Sequence, residues 1–210
     1  MKRIIALLCL LSPSVACAAI TVCGPVSPDG KEVVCDLPVD QRIKNIGSKL
    51  DGAGMCVFSS IEMALRYQGV EHMRGFRDWC AEHYPGGGYP SKVDQLLKAF
   101  CKAKAVPLPD YIQYEGKDPT VLDACLKTGR MACVTYCGRD PHYGPSKSVA
   151  HMTCSVYCDS SAGCILDNNF IGRDELLWMN RKEILDRWTG NGGGWVVIFL
   201  APPPPPVPHN

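Results

Sequence analysis

The spacing of apolar residues along the chain changes at Gly129. Before it, apolar residues recur at helical intervals and predict four helices, over 56–68, 73–83, 91–101 and 118–129. After it, short β-branched and aromatic segments bounded by Gly, Asp and Ser predict strands at 131–137, 150–158, 163–169 and 193–200, with one helix near 180–188. Helices followed by strands predict an α+β fold, because a doubly wound parallel sheet needs the two to alternate.

The first 18 residues have the pattern of a signal peptide. Lys2 and Arg3 precede the apolar run Ile4–Leu11, and Ala16-Cys17-Ala18 has the small-x-small form that signal peptidase cuts. The apolar run is too short to span a bilayer. We therefore expect a secreted or periplasmic protein without stable membrane insertion after cleavage. A lipoprotein anchored at Cys17 is the weaker alternative, because lipoproteins usually carry an aliphatic residue where Ser14 stands.

The rest of the chain divides into three parts. Residues 19–40 are rich in Pro, Gly and Asp and predict an extended segment, 41–200 form a single domain, and 201–210 are a proline-rich tail expected to be exposed polyproline II. The formal net charge of +1 gives no electrostatic reason to expect nucleic acid or an anionic membrane as a partner.

The chain has 13 cysteines, and Cys9 and Cys17 lie in the predicted signal peptide. The remaining eleven are an odd number, which in an exported protein predicts at least one free thiol. The others are expected to pair as disulfides in an oxidising compartment, with Cys23 and Cys35 a possible pair. The cysteines of CVTYC and CSVYC do not suit a metal, because cysteines four apart on one strand stand ~13 Å apart.

Cys56 is the candidate nucleophile. It follows the glycine turn around Gly52 and Gly54 and begins the first predicted helix. A helix N-terminus lowers the pKa of a thiol through its dipole and its free N–H groups. The same N–H groups can stabilise an oxyanion.

A thiol nucleophile also needs an imidazole and a group that orients the imidazole. Of the five histidines, His151 begins a predicted strand. The next strand can pair back through the turn DSSAG, and its end brings Asp167 and Asn168 within reach of His151. Either residue could orient the imidazole, and both also favour turns at strand ends.

The order of these residues resembles that of the papain-like cysteine peptidases. MCVFSSIEMAL is similar to the segment that carries their catalytic Cys, AHMTCSVY to their His strand, and CILDNNF to the strand before the orienting residue. Papain-type enzymes carry Asn there with an aromatic two residues later, which matches Asn168 and Phe170. The similar bacteriocin-leader-processing double-glycine peptidases carry Asp, which matches Asp167.

This resemblance, over roughly 41–200, implies a papain-like α+β domain with N-terminal helices packed on a C-terminal antiparallel sheet. It implies hydrolysis of amide bonds in peptides or proteins by Cys56, His151 and Asp167 or Asn168, without a cofactor or metal. Acyl transfer or amidase chemistry by the same residues, or a non-catalytic binding module, are the alternatives.

The stretch before Cys56 departs from the papain pattern. Family members place a Gln a few residues before the Cys to complete the oxyanion hole, whereas GSKLDGAGM contains none, and Gln41 lies well upstream. Ser48, Asp51 or the backbone alone could take its place. A carboxylate at Asp51 would repel an oxyanion, which favours the non-catalytic alternative.

Overall fold

The computed structural model describes residues 22–49, 54–84, 86–145, 147–190 and 194–205. The predicted signal peptide, Asp51, Gly52 and the end of the tail lie outside these ranges. The helices are α1 (Cys56–Tyr67), α2 (Phe76–His83), α3 (Pro90–Lys104), α4 (Thr120–Lys127) and α5 (Arg181–Trp188). The strands are β1 (Val22–Cys23), β2 (Tyr111–Gly116), β3 (Ala132–Arg139), β4 (Ser148–Cys158), β5 (Ala162–Leu166), β6 (Leu177–Asn180) and β7 (Gly194–Phe199).

The described strands form one sheet of seven, in the order β1-β6-β5-β4-β3-β7-β2. Every neighbouring pair is antiparallel. β4 is the fourth strand of this order, so it has neighbours on both sides and lies furthest from the two sheet edges. β4 and β5 form the hairpin that the turn DSSAG predicts, with a register shift between Ser155 and Tyr157.

Helices cover both faces of the sheet. On one face α1, α2 and α3 pack over residues such as Cys133 and Met152, and on the other α4 and α5 pack over residues such as Val134 and Ile165. The predicted α+β class is confirmed by five helices and an antiparallel sheet among the described residues.

Several predicted elements differ in detail. The second helix begins at Phe76 because Gly75 has a φ of 84°, and a 3₁₀ turn (Glu71–Met73) precedes it. The predicted cap at Ser91 is wrong: α3 already begins at Pro90, and the Asp94 carboxylate accepts instead from Tyr111 and Gln113 of β2. β1, β2 and β6 are strands that the sequence pattern did not predict.

A buried carboxylate on α1 fixes the start of α2. Glu62 is 2% exposed, and its oxygens accept the backbone N–H groups of Gly75 and Arg77 at 2.9 and 2.8 Å. Its side chain also pairs with Arg66 one turn later, at 2.7 Å. A carboxylate at a helix N-terminus satisfies N–H groups that have no partner inside the helix. This contact joins α1 and α2 into one unit.

Glu62→Ala should lower the free energy of unfolding by about 3 kcal/mol, because it leaves two partly buried N–H donors and Arg66 without their acceptor. Denaturant unfolding followed by circular dichroism measures this loss. Glu82→Ala is the matched control, because Glu82 forms only an exposed ion pair with Lys49 and its loss should leave stability essentially unchanged. Equal midpoints for the two variants would contradict the role given to Glu62.

All eleven cysteines in the described part of the chain are free thiols, and ten of them are outside the candidate site. Cys23 and Cys35 are not bonded to each other. Cys133 and Cys154 stand directly opposite one another in the β3–β4 ladder, and their side chains are hydrogen-bonded. Facing residues of antiparallel strands have Cα atoms roughly 4.5–5.5 Å apart, within the range that a disulfide spans.

Folding under oxidising conditions should therefore cross-link Cys133 to Cys154 in preference to other pairs. Peptide mapping without reductant, after refolding in a glutathione redox buffer, measures the linkage. Cys101 serves as the internal reference, because its sulfur lies 3.6 Å from Met73 Sδ and is expected to stay reduced. Cross-linked peptides that join other cysteines, with none joining this pair, would contradict the prediction.

Candidate active site

Cys56 is the first residue of α1. Met55 precedes the helix, makes no side-chain cap, and donates its backbone N–H to Ile46 O at 2.9 Å. The first turn of α1 contains no acidic residue. The Cys56 thiol is therefore placed where the helix dipole and free N–H groups favour a thiolate.

His151 lies in β4 and contacts both Cys56 and Asp167. Its Nε2 lies 2.8 Å from Asp167 Oδ1, and its side chain is only 6% exposed. The imidazole is also hydrogen-bonded to the Cys56 thiol. Because Nε2 is bonded to Asp167, Nδ1 is the ring nitrogen left for Cys56. The three side chains thus form a continuous chain from carboxylate to sulfur.

Asp167 follows β5 and is fully buried. Oδ1 accepts from His151 and from the backbone N–H of Asn169 at 2.8 Å, and Oδ2 accepts from the Tyr143 hydroxyl. Both carboxylate oxygens therefore have donors, as a buried carboxylate requires. Asp167 is the residue of the open pair Asp167/Asn168 that contacts the imidazole.

Asn168 has a different position. Its Nδ2 lies 3.0 Å from the carbonyl of Cys56, 2.9 Å from Ser60 Oγ and 2.9 Å from the carbonyl of Met152. These contacts join the first turns of α1 to β4, next to His151. Asn168 therefore fixes the distance between the helix that carries the thiol and the strand that carries the imidazole.

The surroundings favour opposite charges on Cys56 and His151. Burial alone raises the pKa of the Cys56 thiol, but the hydrogen bond and charge of His151, helped by the backbone N–H groups of Met152 and Val57, bring that pKa below its ordinary value. Burial alone lowers the pKa of His151, but hydrogen bonds and charges from Asp167 and Cys56 raise it to about 9. Both shifts favour a thiolate–imidazolium pair.

Burial and hydrogen bonding also act in opposite directions on the pKa of Asp167. Burial alone raises the pKa of Asp167, but the hydrogen bond and charge of His151, then the Tyr143 hydroxyl and the Asn169 N–H, lower it overall. Asp167 is therefore ionised wherever the pair exists.

Three residues that the sequence pattern does not single out complete this network. The Tyr143 hydroxyl bonds to Asp167, and the Asn169 amide nitrogen lies 2.9 Å from that hydroxyl. Asn45 Nδ2 in turn donates to Asn169 Oδ1 at 3.1 Å. Asn169 directly follows Asp167 and Asn168 in the sequence, and this adjacency could have indicated its place in the network. Tyr143 and Asn45 lie in loops whose contacts no periodic pattern predicts.

The residues that could complete an oxyanion hole beside Cys56 have different positions in the structure. Ser48 donates its hydroxyl to Ala81 O at 3.1 Å, so it holds the loop against α2. The carbonyl of Gln41 accepts from Arg66 in the last turn of α1, about 15 Å along the helix from Cys56. Asp51 lies outside the described residues. Among the described residues, the backbone N–H groups of Val57, at the start of α1, and of Met152 bond to the Cys56 sulfur.

A glycine-rich loop lies beside the first turn of α1. A Cβ added at Gly88 would stand 2.6 Å from Val57 Cβ, and one at Gly87 would stand 4.0 Å from Gly54 O. Lys92 Nζ binds the carbonyls of Gly86 and Gly87 at 3.1 Å. Only glycine lets this loop approach so closely to the residue after Cys56.

Metal clusters and membrane-spanning helices are both absent from the described part of the chain. No group of three or more His, Cys, Asp and Glu side chains is arranged to hold a metal ion there. Nor does that part contain a helix of the length and apolar character needed to cross a bilayer.

A scan of the chain against protein-family models finds no match. A search of curated proteins also finds no match.

Alkylation of Cys56 by iodoacetamide should begin at a lower pH than for an ordinary thiol, because the lowered pKa gives thiolate there. The rate of Cys56 alkylation should change again near pH 9, where His151 loses its proton. Exposed Cys23, whose pKa burial raises further, is the internal control and should react only at alkaline pH. His151→Ala should slow alkylation of Cys56 at pH 7 about tenfold or more, because burial then raises the pKa of the thiol and only the backbone N–H groups of Met152 and Val57 still oppose it.

Mass spectrometry of the two cysteine peptides across pH 5–10 follows both thiols in one sample. Parallel profiles for Cys56 and Cys23 would contradict the ion pair.

Proposed function

We propose that this protein is an exported thiol peptidase of papain-like arrangement, which hydrolyses amide bonds in peptides or proteins. The observation that carries the proposal is the buried chain Cys56–His151–Asp167, with 2.8 Å between the carboxylate and Nε2. A thiol at a helix start, an imidazole on an antiparallel strand and an acid after the next strand support the papain-like assignment. The N-terminal pattern of residues 1–18 supports export.

Acylation begins with the thiolate of Cys56 attacking the carbonyl carbon of the scissile amide. A carbon–sulfur bond forms, and the backbone N–H at the start of α1 stabilises the oxyanion. His151 gives its Nδ1 proton to the amine nitrogen, the carbon–nitrogen bond breaks, and the amine product leaves. An acyl thioester on Cys56 and a neutral imidazole remain.

Deacylation uses the neutral imidazole as a base. His151 takes a proton from water, the hydroxide attacks the thioester carbon, and the carbon–sulfur bond breaks. The acid product leaves, and the thiolate–imidazolium pair is restored. Asp167 holds the imidazole throughout, and it stabilises the positive charge that His151 carries before the first step and after the second.

The decisive test combines labelling with hydrolysis. A peptide epoxide, which alkylates activated thiols, should label Cys56 stoichiometrically under reducing conditions, and the protein should cleave denatured casein. Cys56→Ala should abolish both activities. His151→Ala should lower the rate about 10³-fold, because the base and the charge partner are lost together, and Asp167→Asn about 10²-fold.

Asp159→Asn is the matched control. Asp159 also accepts from a tyrosine hydroxyl, Tyr157, but on the turn between β4 and β5, and its loss should leave the rate unchanged. Labelling of Cys56 no faster than that of Cys23, with no cleavage of casein, would overturn the proposal and favour a non-catalytic module. Transfer of the acyl group to an added amine in place of water would identify an acyltransferase.

A further inference from the structure

Tyr143 connects the loop between β3 and β4 to the acid of the site. We propose that Tyr143 is a positioning residue, which holds the Asp167 carboxylate in the orientation that directs Oδ1 at His151. This inference rests on the proposed function, because Asp167 matters only if His151 serves Cys56. It concerns a residue with no chemical step of its own.

Both oxygens of the Asp167 carboxylate are hydrogen-bonded. Oδ1 faces His151 Nε2, and Oδ2 accepts the Tyr143 hydroxyl. Rotation of the carboxylate about its own axis would break both bonds together. A donor on Oδ2 therefore fixes the direction of Oδ1, which in turn fixes the plane of the imidazole.

The direction of the hydroxyl proton follows from a count of donors. A tyrosine hydroxyl has one proton, and here it accepts from Asn169 Nδ2 at 2.9 Å. Its own proton is therefore directed at Asp167, the neighbouring anion. The Tyr143 ring is also fixed, since it meets His151 and Phe170 edge to face, at 6.2 and 5.1 Å between ring centroids.

The turn that presents Tyr143 is itself anchored. Asp140, which is 2% exposed, caps the 3₁₀ turn Pro141–Tyr143 by accepting the backbone N–H of His142 at 2.9 Å. Its other oxygen accepts the Tyr136 hydroxyl at 2.6 Å. Tyr136 belongs to β3, so the position of Tyr143 is set by the sheet. This second tyrosine–aspartate bond makes the loop a rigid support.

The titratable groups around Asp167 come from three elements. His151 and, beyond it, Cys56 face Asp167 from β4 and α1, and Tyr143 faces it from the turn. His142 lies further out, with its ring 4.1 Å from that of Phe170. If Asp167 turns away, the imidazolium loses its anion and the thiolate is less stabilised. The Cys56 alkylation profile should then shift to higher pH.

The test is Tyr143→Phe, which keeps the ring contacts and removes only the hydroxyl. Hydrolysis of denatured casein should fall about tenfold in kcat with KM nearly unchanged, the size expected for one hydrogen bond to a charged group. The acid limb of Cys56 alkylation by iodoacetamide should move to higher pH. A residue that served stability alone would change the melting temperature and leave this limb in place.

Tyr157→Phe is the matched control, because the Tyr157 hydroxyl also binds an aspartate, Asp159, at 2.8 Å but away from the site. It should leave kcat and the alkylation profile unchanged. In an Asp167→Asn background, Tyr143→Phe should cause no further loss, because both changes act on the same contact. Additive losses would overturn the proposed route through Asp167.

The outcomes separate this inference from the proposed function. A wild-type protein whose Cys56 reactivity does not depend on His151 refutes the function itself. A wild type that depends on His151, together with a Tyr143→Phe variant that matches it in kcat and alkylation profile, refutes only the role of Tyr143. If circular dichroism shows that Tyr143→Phe is unfolded, Asn169→Ala removes the amide that orients the hydroxyl and that also lies 3.2 Å from His151 Nε2. That variant should shift the profile in the same direction, and an unchanged profile would overturn the inference.

Discussion

The amide group of Asn168 holds together the two elements on which the site depends. Its Nδ2 lies within 3.0 Å of the carbonyl of Cys56 and the hydroxyl of Ser60 on α1, and of the carbonyl of Met152 on β4. A reactive sulfur and an imidazole from residues almost a hundred positions apart must stay within hydrogen-bond reach. Packing alone tolerates sliding of a helix over a sheet, whereas three polar contacts at one point do not. The network around Asp167 can orient His151 only because this spacing is already set.

Burial works against every charge in the site, and hydrogen bonding reverses its effect in each case. The pKa values of Cys56, His151 and Asp167 all move toward the ionised forms despite desolvation. Such a buried arrangement is stabilised only while each member keeps its partners, so removing one exposes the others to the full cost of burial. The same dependence includes Tyr143 and Asn169, whose hydroxyl and backbone N–H donate to the Asp167 carboxylate.

The sequence predicts the α+β class, the helix that begins at Cys56 and the β4–β5 hairpin, because long periodic segments and a turn signal are local features. It could not separate Asp167 from Asn168. The ladder pairs Cys154 with Leu166, and continuing it places Asp167 beside Thr153, on the face of His151, and Asn168 beside Met152 and α1. That register depends on the irregularity between Ser155 and Tyr157. The residue types at these positions do not predict such an irregularity. Tyr143 was missed because a 3₁₀ turn anchored by Asp140 places it, and β1, β2 and β6 were missed because they are short or lie at the sheet edges.

The position of His151 on the middle strand of the sheet has a consequence for how the molecule opens. Central strands exchange their amide protons only through global unfolding, whereas loops open at little cost. The imidazole therefore belongs to the most persistent part of the protein, whereas the flanking loops, such as the glycine-rich loop beside Val57, can open at lower cost. The arrangement of Cys56, His151 and Asp167 would then be lost together with the sheet, so heating would disrupt the candidate site only as the protein unfolds.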